Sequence, residues 1–548
     1  MSRGKSVSEA VLLDRRERLV EMIRELVSIP SVTEGPHESE PGLWIKARLE
    51  KLAYFKENPE NLKWIETPLE GTQEKLHSLV VRVDAAGRTE RTVLLISHYD
   101  VVGVDVYGEN AQSAFDIAAL NRIFDNRDGN VLYGRGIMDM KSGVALELDM
   151  VEEFAGDRSL YDVNIVAAFV GDEENASAGM RGAVPTLAAL KTGGMDFIAA
   201  INTEPGEAGD ARAAGPRVFL GTLGKLMPGF YVRGCAAHVG NCYKGFSAAL
   251  AISHLVECAE CSPSLANPLR GKTQPSWICL DMGVMRKTYS VTVPDRAYAY
   301  FNCFTTTSTP ADIVGQMRSV ALSSFIKTSR QLSASCDELA AMGYDGAPFS
   351  EPEPKVFTLY ELTEKARTRC GADFDASLDA FVDSLPADDM RQRGIRVVDH
   401  IAGLSGEEGP YIVCFFLPPW LPVRTDITDD KRDASVVAAA REVEAEIEQR
   451  YGMKMAEAEF FAGLCDLSYV GAKVSCGDLE DFRKNMPGWG GVYSIPLDEM
   501  NSLGMAVINM GPSGDDPHKE TERLYLHYSL DILPDMLRGL IRKLSARV

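Results

Sequence analysis

Four apolar runs constrain the fold of this chain more than any other feature, because each ends in side chains that bind metals. Val163–Glu174 (VNIVAAFVGDEE) is almost unbroken in its apolar part and closes with Asp172, Glu173 and Glu174. Arg91–Ser97 runs into His98, Tyr99 and Asp100; Phe197–Asn202 runs into Thr203 and Glu204; Met505–Met510 runs into Gly511-Pro512 and then His518. Apolar runs without alternation are strands buried on both faces, the usual state inside a parallel sheet. Ligands of open α/β sheets collect at the carboxyl ends of such strands. Three adjacent carboxylates repel one another, so a positive group is needed to hold them. His, Asp and Glu together suit a borderline metal such as zinc.

Composition excludes several classes of function. A chain of 548 residues is too long for one core and predicts about two to four domains. Its 45% hydrophobic and 25% charged content is that of a soluble globular protein. A net charge of −22 argues against a nucleic-acid or anionic-membrane surface. No run reaches the roughly 18 apolar residues that span a bilayer. The N-terminal segment lacks an apolar signal region, so a cytoplasmic location is expected. The eleven cysteines are scattered, and Cys258 and Cys261 have no second pair at zinc-ribbon spacing. They read as core thiols in a reducing compartment. No GxSxG with a credible triad occurs, Gly134-Arg-Gly136 does not continue as a dinucleotide fingerprint, and Pro487–Gly491 (PGWGG) is a turn rather than a phosphate loop.

In chain order, Leu12–Val27 is an amphipathic helix broken by Ser28–Pro30. Strands are expected near Ser78–Val83 and Thr92–Ser97. A long polar loop, Val104–Asn130, able to cover a pocket, leads to Asp139 just ahead of a helix that starts near Lys141. After Glu204, the Gly/Ala-rich stretch Gly206–Arg217 reads as a linker. A strand (Leu226–Val232), a helix (Phe246–Cys261), two strands (Ser276–Val284, Tyr289–Phe304), a helix (Pro310–Leu332) and a last strand (Lys355–Thr358) follow. This order predicts an α+β sandwich, residues 216–357, inserted into an α/β domain built from 1–215 and 358–548 around a doubly wound, mostly parallel sheet. The larger domain is expected to resume at Leu359 and to continue through Tyr411–Phe416, the helix Ala434–Tyr451 and the His518 strand.

These residues resemble the M20 metallopeptidases, the co-catalytic zinc carboxypeptidases, aminoacylases and amidohydrolases. The resemblance rests on His98-Tyr-Asp100-Val-Val, GRGxxDMKxG ending at Gly143, Asp172-Glu173-Glu174, Glu204, the late His518 and GCAAHVG at Gly234–Gly240. It covers nearly the whole chain. Length, FFLPPWLP (Phe415–Pro422) and GLCDLSYVG (Gly463–Gly471) are most similar to the long arginine-utilisation subgroup.

The resemblance implies two divalent cations, zinc first with cobalt or manganese as alternatives. His98 and Glu204 would hold one, Glu174 and His518 the other, and Asp139 would bridge them. Asp100 would accept the second ring N–H of His98 and fix its tautomer. Glu173 would be the general base, on the opposite side of an extended backbone from Glu174. His238 would stabilise the oxyanion, and the inserted domain would act as lid and homodimer interface. Asp466 is a substrate-pocket candidate. Lys225, Arg233 and Arg424 are weaker candidates for binding a substrate carboxylate. The family's lid Arg is missing, with Asn302 in its place, which puts a plain C-terminal-carboxylate enzyme in doubt. His254 and His527 read as packing or surface residues. The function implied is hydrolysis of an amide or peptide bond in a small substrate: a dipeptide, an N-acyl amino acid or an arginine-related amide. The alternative is a non-catalytic metal-binding or regulatory protein on the same fold, which would be expected to lose Glu173 first.

Overall fold

In the computed structural model, residues 9–72, 74–206, 217–425, 430–458, 460–461, 463 and 465–547 are described. The linker expected at 206–217 therefore lies, but for its two ends, outside the described residues. The strands in chain order are β1 (Leu62–Pro68), β2 (Lys75–Val83), β3 (Arg91–His98), β4 (Val131–Tyr133), β5 (Asn164–Val170), β6 (Asp196–Asn202), β7 (Arg217–Phe219) and β8 (Gly224–Arg233). They continue with β9 (Ile278–Val284), β10 (Arg296–Thr305), β11 (Val356–Thr358), β12 (Tyr411–Leu421), β13 (Ala456–Ala458), β14 (Val507–Asn509), β15 (Gly514–Asp515) and β16 (Arg523–Tyr525).

The large sheet runs β1-β2-β5-β3-β6-β14-β7-β13. Its centre, β5-β3-β6-β14, is parallel. Alternate residues of the central strands enter two different cores, as a strand buried on both faces requires. Leu94, Ile96, Val166 and Ala168 join the helix Ala178–Thr192 through Met180, Val184 and Leu187. Val93, Leu95, Ala167 and Phe169 face the other way, onto the helices Glu9–Ser28, Ser142–Gly156 and Leu533–Ala546. Helices thus cover both faces of a doubly wound α/β layer.

The smaller sheet runs β11-β12-β8-β10-β9. The helices Ala248–Ala259 and Pro310–Ala341 pack on each other and on this sheet. One expectation is corrected here. Tyr411–Leu421, placed by its sequence in the larger domain, pairs antiparallel with β8 from Tyr411↔Arg233 to Leu421↔Lys225. The helices Leu359–Cys370 and Met390–Ser405 pack on it as a second helical layer. An unbroken apolar run reports burial on both faces, and β12 is buried along its whole length, but such a run does not say which sheet it joins.

A third, three-stranded sheet, β15-β16-β4, ties the hairpin after β14 to the segment before Asp139. Val104–Asn130 is ordered locally, with a helical turn at Asp105–Ser113 and a helix at Ile117–Ile123 over Tyr107, Ala114 and Leu120. All eleven cysteines are free, and Cys261, expected in the core, is exposed at the end of its helix. Among the described residues, no helix is long and apolar enough to cross a membrane.

Candidate metal centre

The four central strands deliver their carboxyl ends side by side. β3 ends at His98; the turn after β5 carries Glu173 and Glu174; β6 leads to Glu204; and β14 leads into the hairpin that carries His518. Asp139 enters between them from the turn after β4. Its Oδ1 lies 3.2 Å from His98 Nε2 and its Oδ2 lies 3.2 Å from His518 Nε2. Glu204 Oε1 is 3.4 Å from His98 Nε2, and Glu174 Oε1 is 3.2 Å from His518 Nε2. Two donor sets result, His98/Asp139/Glu204 and Asp139/Glu174/His518, sharing the two oxygens of Asp139. Glu173 Oε2 stands 3.8 Å from His98 Nε2, beside the first set.

The residues behind this layer explain its shape. His98 Nδ1 lies 3.0 Å from the carbonyl oxygen of Asp100, which it can meet only as a donor, so Nε2 is left for a metal. The Asp100 carboxylate is farther, at 3.4 Å. Its closer work is to accept the Glu173 and Glu174 amides, each at 3.2 Å, and the Thr33 hydroxyl at 2.9 Å. Glu173 and Glu174 are in a turn rather than the extended backbone expected, and these two amide bonds hold that turn. Asp172, at φ 63°, turns away from the site and accepts the Ala178 amide at 2.9 Å, starting the following helix.

Glu147, buried in its helix, accepts the hydroxyls of Ser97 (3.0 Å) and Thr203 (2.9 Å) and so locks together the ends of β3 and β6. Gly143, one turn earlier, has no room for a side chain: a Cβ there would lie 2.6 Å from Thr203 Oγ1. Glu522 does the same for the two segments that carry Asp139 and His518. It accepts Arg135 Nη1 at 2.6 Å and the amides of Gly136, Met138 and Asp139 at 3.1, 3.1 and 3.3 Å. Arg135 Nη2 in turn donates to the His518 carbonyl at 3.2 Å. Sequence reading missed Thr33, Glu147, Arg135 and Glu522. Glu522 lies four residues past His518, and that proximity was the available signal.

The site's electrostatics call for cations. Burial opposes charge on His98, yet Glu204, Asp100 and Asp139 outweigh it and raise its pKa well above the usual value. Hydrogen bonds to Asp139 and Glu174 push His518 up to about 11. Burial, with Asp139 adding, pushes Glu204 up to about 8. Burial also raises Glu173 well above the usual carboxylate range, with Glu204, Asp466 and Glu174 adding to it. Protons are here compensating packed negative charge, which is what two divalent ions would do instead. The donors fit: two imidazole nitrogens and three carboxylates suit zinc, cobalt or manganese. Glu204 Oε2 is buried with no hydrogen-bond partner, as a ligand oxygen would be.

A cavity of about 530 Å³ opens onto the site, with Asp139, Glu173, Glu174, Glu204 and His518 in its wall. Lys225 lines it as well. Asp466 is fully buried close by, and burial raises its pKa to about 7. Several expected residues are elsewhere. Asn302 pairs with Ile278 within the lid sheet and does not line the cavity. Arg424 is buried against Asp433. Arg233 ends β8, whereas Lys225 is its second residue. His238 is exposed on the lid, its Nδ1 accepting the Gly240 amide at 3.1 Å, and it is not in the cavity wall of its own chain. Neither Val104–Asn130 nor Pro487–Gly491 lines the cavity. His254 packs against Thr328, and His527 pairs with Asp531 at the surface.

Comparison with known proteins agrees with this geometry. The family model for peptidase family M20/M25/M40 matches residues 94–542, a span that contains all five donor residues and Glu173. Two proteins of Bacillus subtilis (strain 168) align almost end to end. The uncharacterized protein YqjN is 28% identical over 540 residues, with 95% of each chain covered. Protein RocB is 26% identical over 537 residues, with 95% of this chain and 94% of RocB covered. Among solved structures, the di-peptidase Dug1p of Saccharomyces cerevisiae shares the fold, with a TM-score of 0.54 at 12% identity over 98% of both chains. The chain belongs to peptidase family M20/M25/M40.

Proposed function

We propose that this protein hydrolyses an amide or peptide bond in a small substrate, using two divalent cations and Glu173 as general base. The carrying observation is the pair of donor sets joined through Asp139, with Glu173 free beside the first. Bound there, two cations would supply an acidified water and a Lewis acid for the amide carbonyl. His98, Glu204, Asp139, Glu174 and His518 would hold them. Glu173 takes the water's proton and delivers it to the leaving nitrogen. Its raised pKa, set by burial and neighbouring carboxylates, suits a group that must both accept and return a proton. Asp100 keeps Glu173 aimed by holding its amide.

The exposed His238 supports a homodimer in which each lid lends that histidine to its partner's cavity as an oxyanion donor. The strand β9 is a sheet edge carrying exposed Leu280 and Met282, a surface suited to a second copy. A dipeptide, an N-acyl amino acid and an arginine-related amide all fit the reaction.

The test is metal content with paired activity. Wild type and Glu173→Gln should each bind about two cations per chain, and only the wild type should turn over a panel of dipeptides, N-acyl amino acids and arginine-derived amides. The loss expected in Glu173→Gln is at least about a hundredfold. Full activity in that variant would remove Glu173 from the mechanism. His238→Ala should lower kcat while metal content stays unchanged, and an unaltered rate would make His238 a structural residue.

A further inference from the structure

The turn that presents Glu173 and Glu174 is gripped from the lid. Asn175, the next residue, lines the cavity, and its amide is fixed at both ends. Its Nδ2 donates to Asp172 Oδ1 and to Glu34 Oε1, both at 3.1 Å. Its Oδ1 accepts Arg391 Nη2 at 2.8 Å, and the same nitrogen reaches the Asn175 carbonyl at 3.3 Å. Ionised carboxylates only accept and a guanidinium only donates, so the amide fits in one orientation. Hydrogen bonds with an ionised partner are the strong ones.

Arg391 comes from 216 residues further along the chain. It is the second residue of the helix Met390–Ser405, in the helical layer of the lid that packs on β12. Asp389 caps that helix, accepting the Arg391 amide at 2.9 Å, and its carboxylate also pairs with Arg391 Nη1. The helix's own cap thus aims the guanidinium and leaves Nη2 for Asn175. Two residues on, Arg393 is buried against the β1–β2 turn of the large domain, where a Cβ on Gly71 would lie 2.1 Å from its Nη1. The start of this lid helix is therefore seated on the large domain at two points, and one of them adjoins a metal donor. Asp100 holds the Glu173 and Glu174 amides from within the large domain. Arg391 holds the other end of the same turn from outside it.

Building on the hydrolase reading above, we propose that Arg391 is a positioning residue of the hydrolytic centre: through Asn175, the lid steadies the turn that carries the Glu173 base and the Glu174 donor of its own chain. This action of the lid is separate from the lending of His238 to a partner. It needs no contact between Arg391 and cation or substrate.

The test reads the turn first and turnover second. Hydrogen exchange by mass spectrometry, on the full-length chain as purified, follows residues 171–178 in wild type, Arg391→Ala, Asn175→Ala and the double variant. Protection of that segment should fall about tenfold in each single variant, and the double variant should fall no further. β5 should exchange as in wild type. Both bonds to Asn175 come from one nitrogen, so Arg391→Lys should recover most of the protection. With an active substrate, kcat of Arg391→Ala should drop about tenfold while KM holds within about twofold. Unchanged exchange in Arg391→Ala, losses that add in the double variant, a loss shared by β5, or a wild-type kcat in Arg391→Ala would overturn the positioning role. The hydrolase reading is judged apart from it, by the metal content and turnover of wild type. A wild type with neither would sink that reading, and exchange would still decide whether Arg391 holds the turn.

Discussion

Glu147 stands one layer behind the candidate metal donors, and burial favours its neutral form. Burial pushes its pKa up to about 8, while the Ser97 and Thr203 hydroxyls partly offset the shift. An acid raised above its ordinary 4.5 contributes most to stability below pH 4.5. That contribution falls as pH rises towards 8, because the unfolded chain has already released the proton. Glu147→Gln should therefore gain stability relative to wild type between about pH 5 and 8, read as the difference in urea midpoints across that window. A difference independent of pH would mean that Glu147 is ionised in the folded protein. The convergence of His98, Glu174, Glu204 and His518 was legible in the sequence because each follows an apolar strand, whereas Asp139 arrives from the turn after β4. Asp172 was not distinguishable from Glu173 and Glu174 there. What separates them is the backbone: φ of 63° at Asp172 turns its side chain to the Ala178 amide, and the Asp100 carboxylate takes the next two amides. A string of three acids carries no mark of that turn.

At the scale of elements, the hairpin β15–β16 is the piece that completes the site. It carries His518 and pairs with β4, and Glu522 binds the turn that carries Asp139. Through the Asp139 amide, and through Arg135, which donates to the His518 carbonyl, one carboxylate thereby ties together the two segments that carry Asp139 and His518. Outer partners of this kind are worth about tenfold to a hundredfold in metal affinity. Glu522→Gln should weaken binding by that order in a chelator competition, and wild-type affinity would reduce Glu522 to a loop staple. The central parallel strands were readable from their runs, and so were the helix–strand order of the lid and its insertion between Glu204 and the later half. β12 was misplaced because its partner β8 lies almost two hundred residues earlier, and nothing local in Tyr411–Leu421 points to it. The lid is accordingly larger than its sequence suggested, with helices on both faces of its sheet.

For the whole molecule, the two donor sets draw on segments from His98 to His518, so bound cations would cross-link most of the chain. Ligands that bind only the folded state stabilise it by mass action. Chelation should lower Tm, and zinc should restore it; a Tm indifferent to both would argue that no cation is held in the folded state. The chain passes into and out of the lid through neighbouring segments, paired at Thr222↔Arg424. In the large sheet, β14 lies directly against β6, although some three hundred residues separate them in the chain. This arrangement sets an order of events during synthesis. The lid strands are complete once Leu421 has emerged, so that domain can close on itself while the large sheet still lacks β14. His518 is among the last 31 of 548 residues. A chain that has emerged only as far as Leu421 therefore carries three of the four strand ends but not β14 or His518, so the donor sets can come together only after the lid strands are complete.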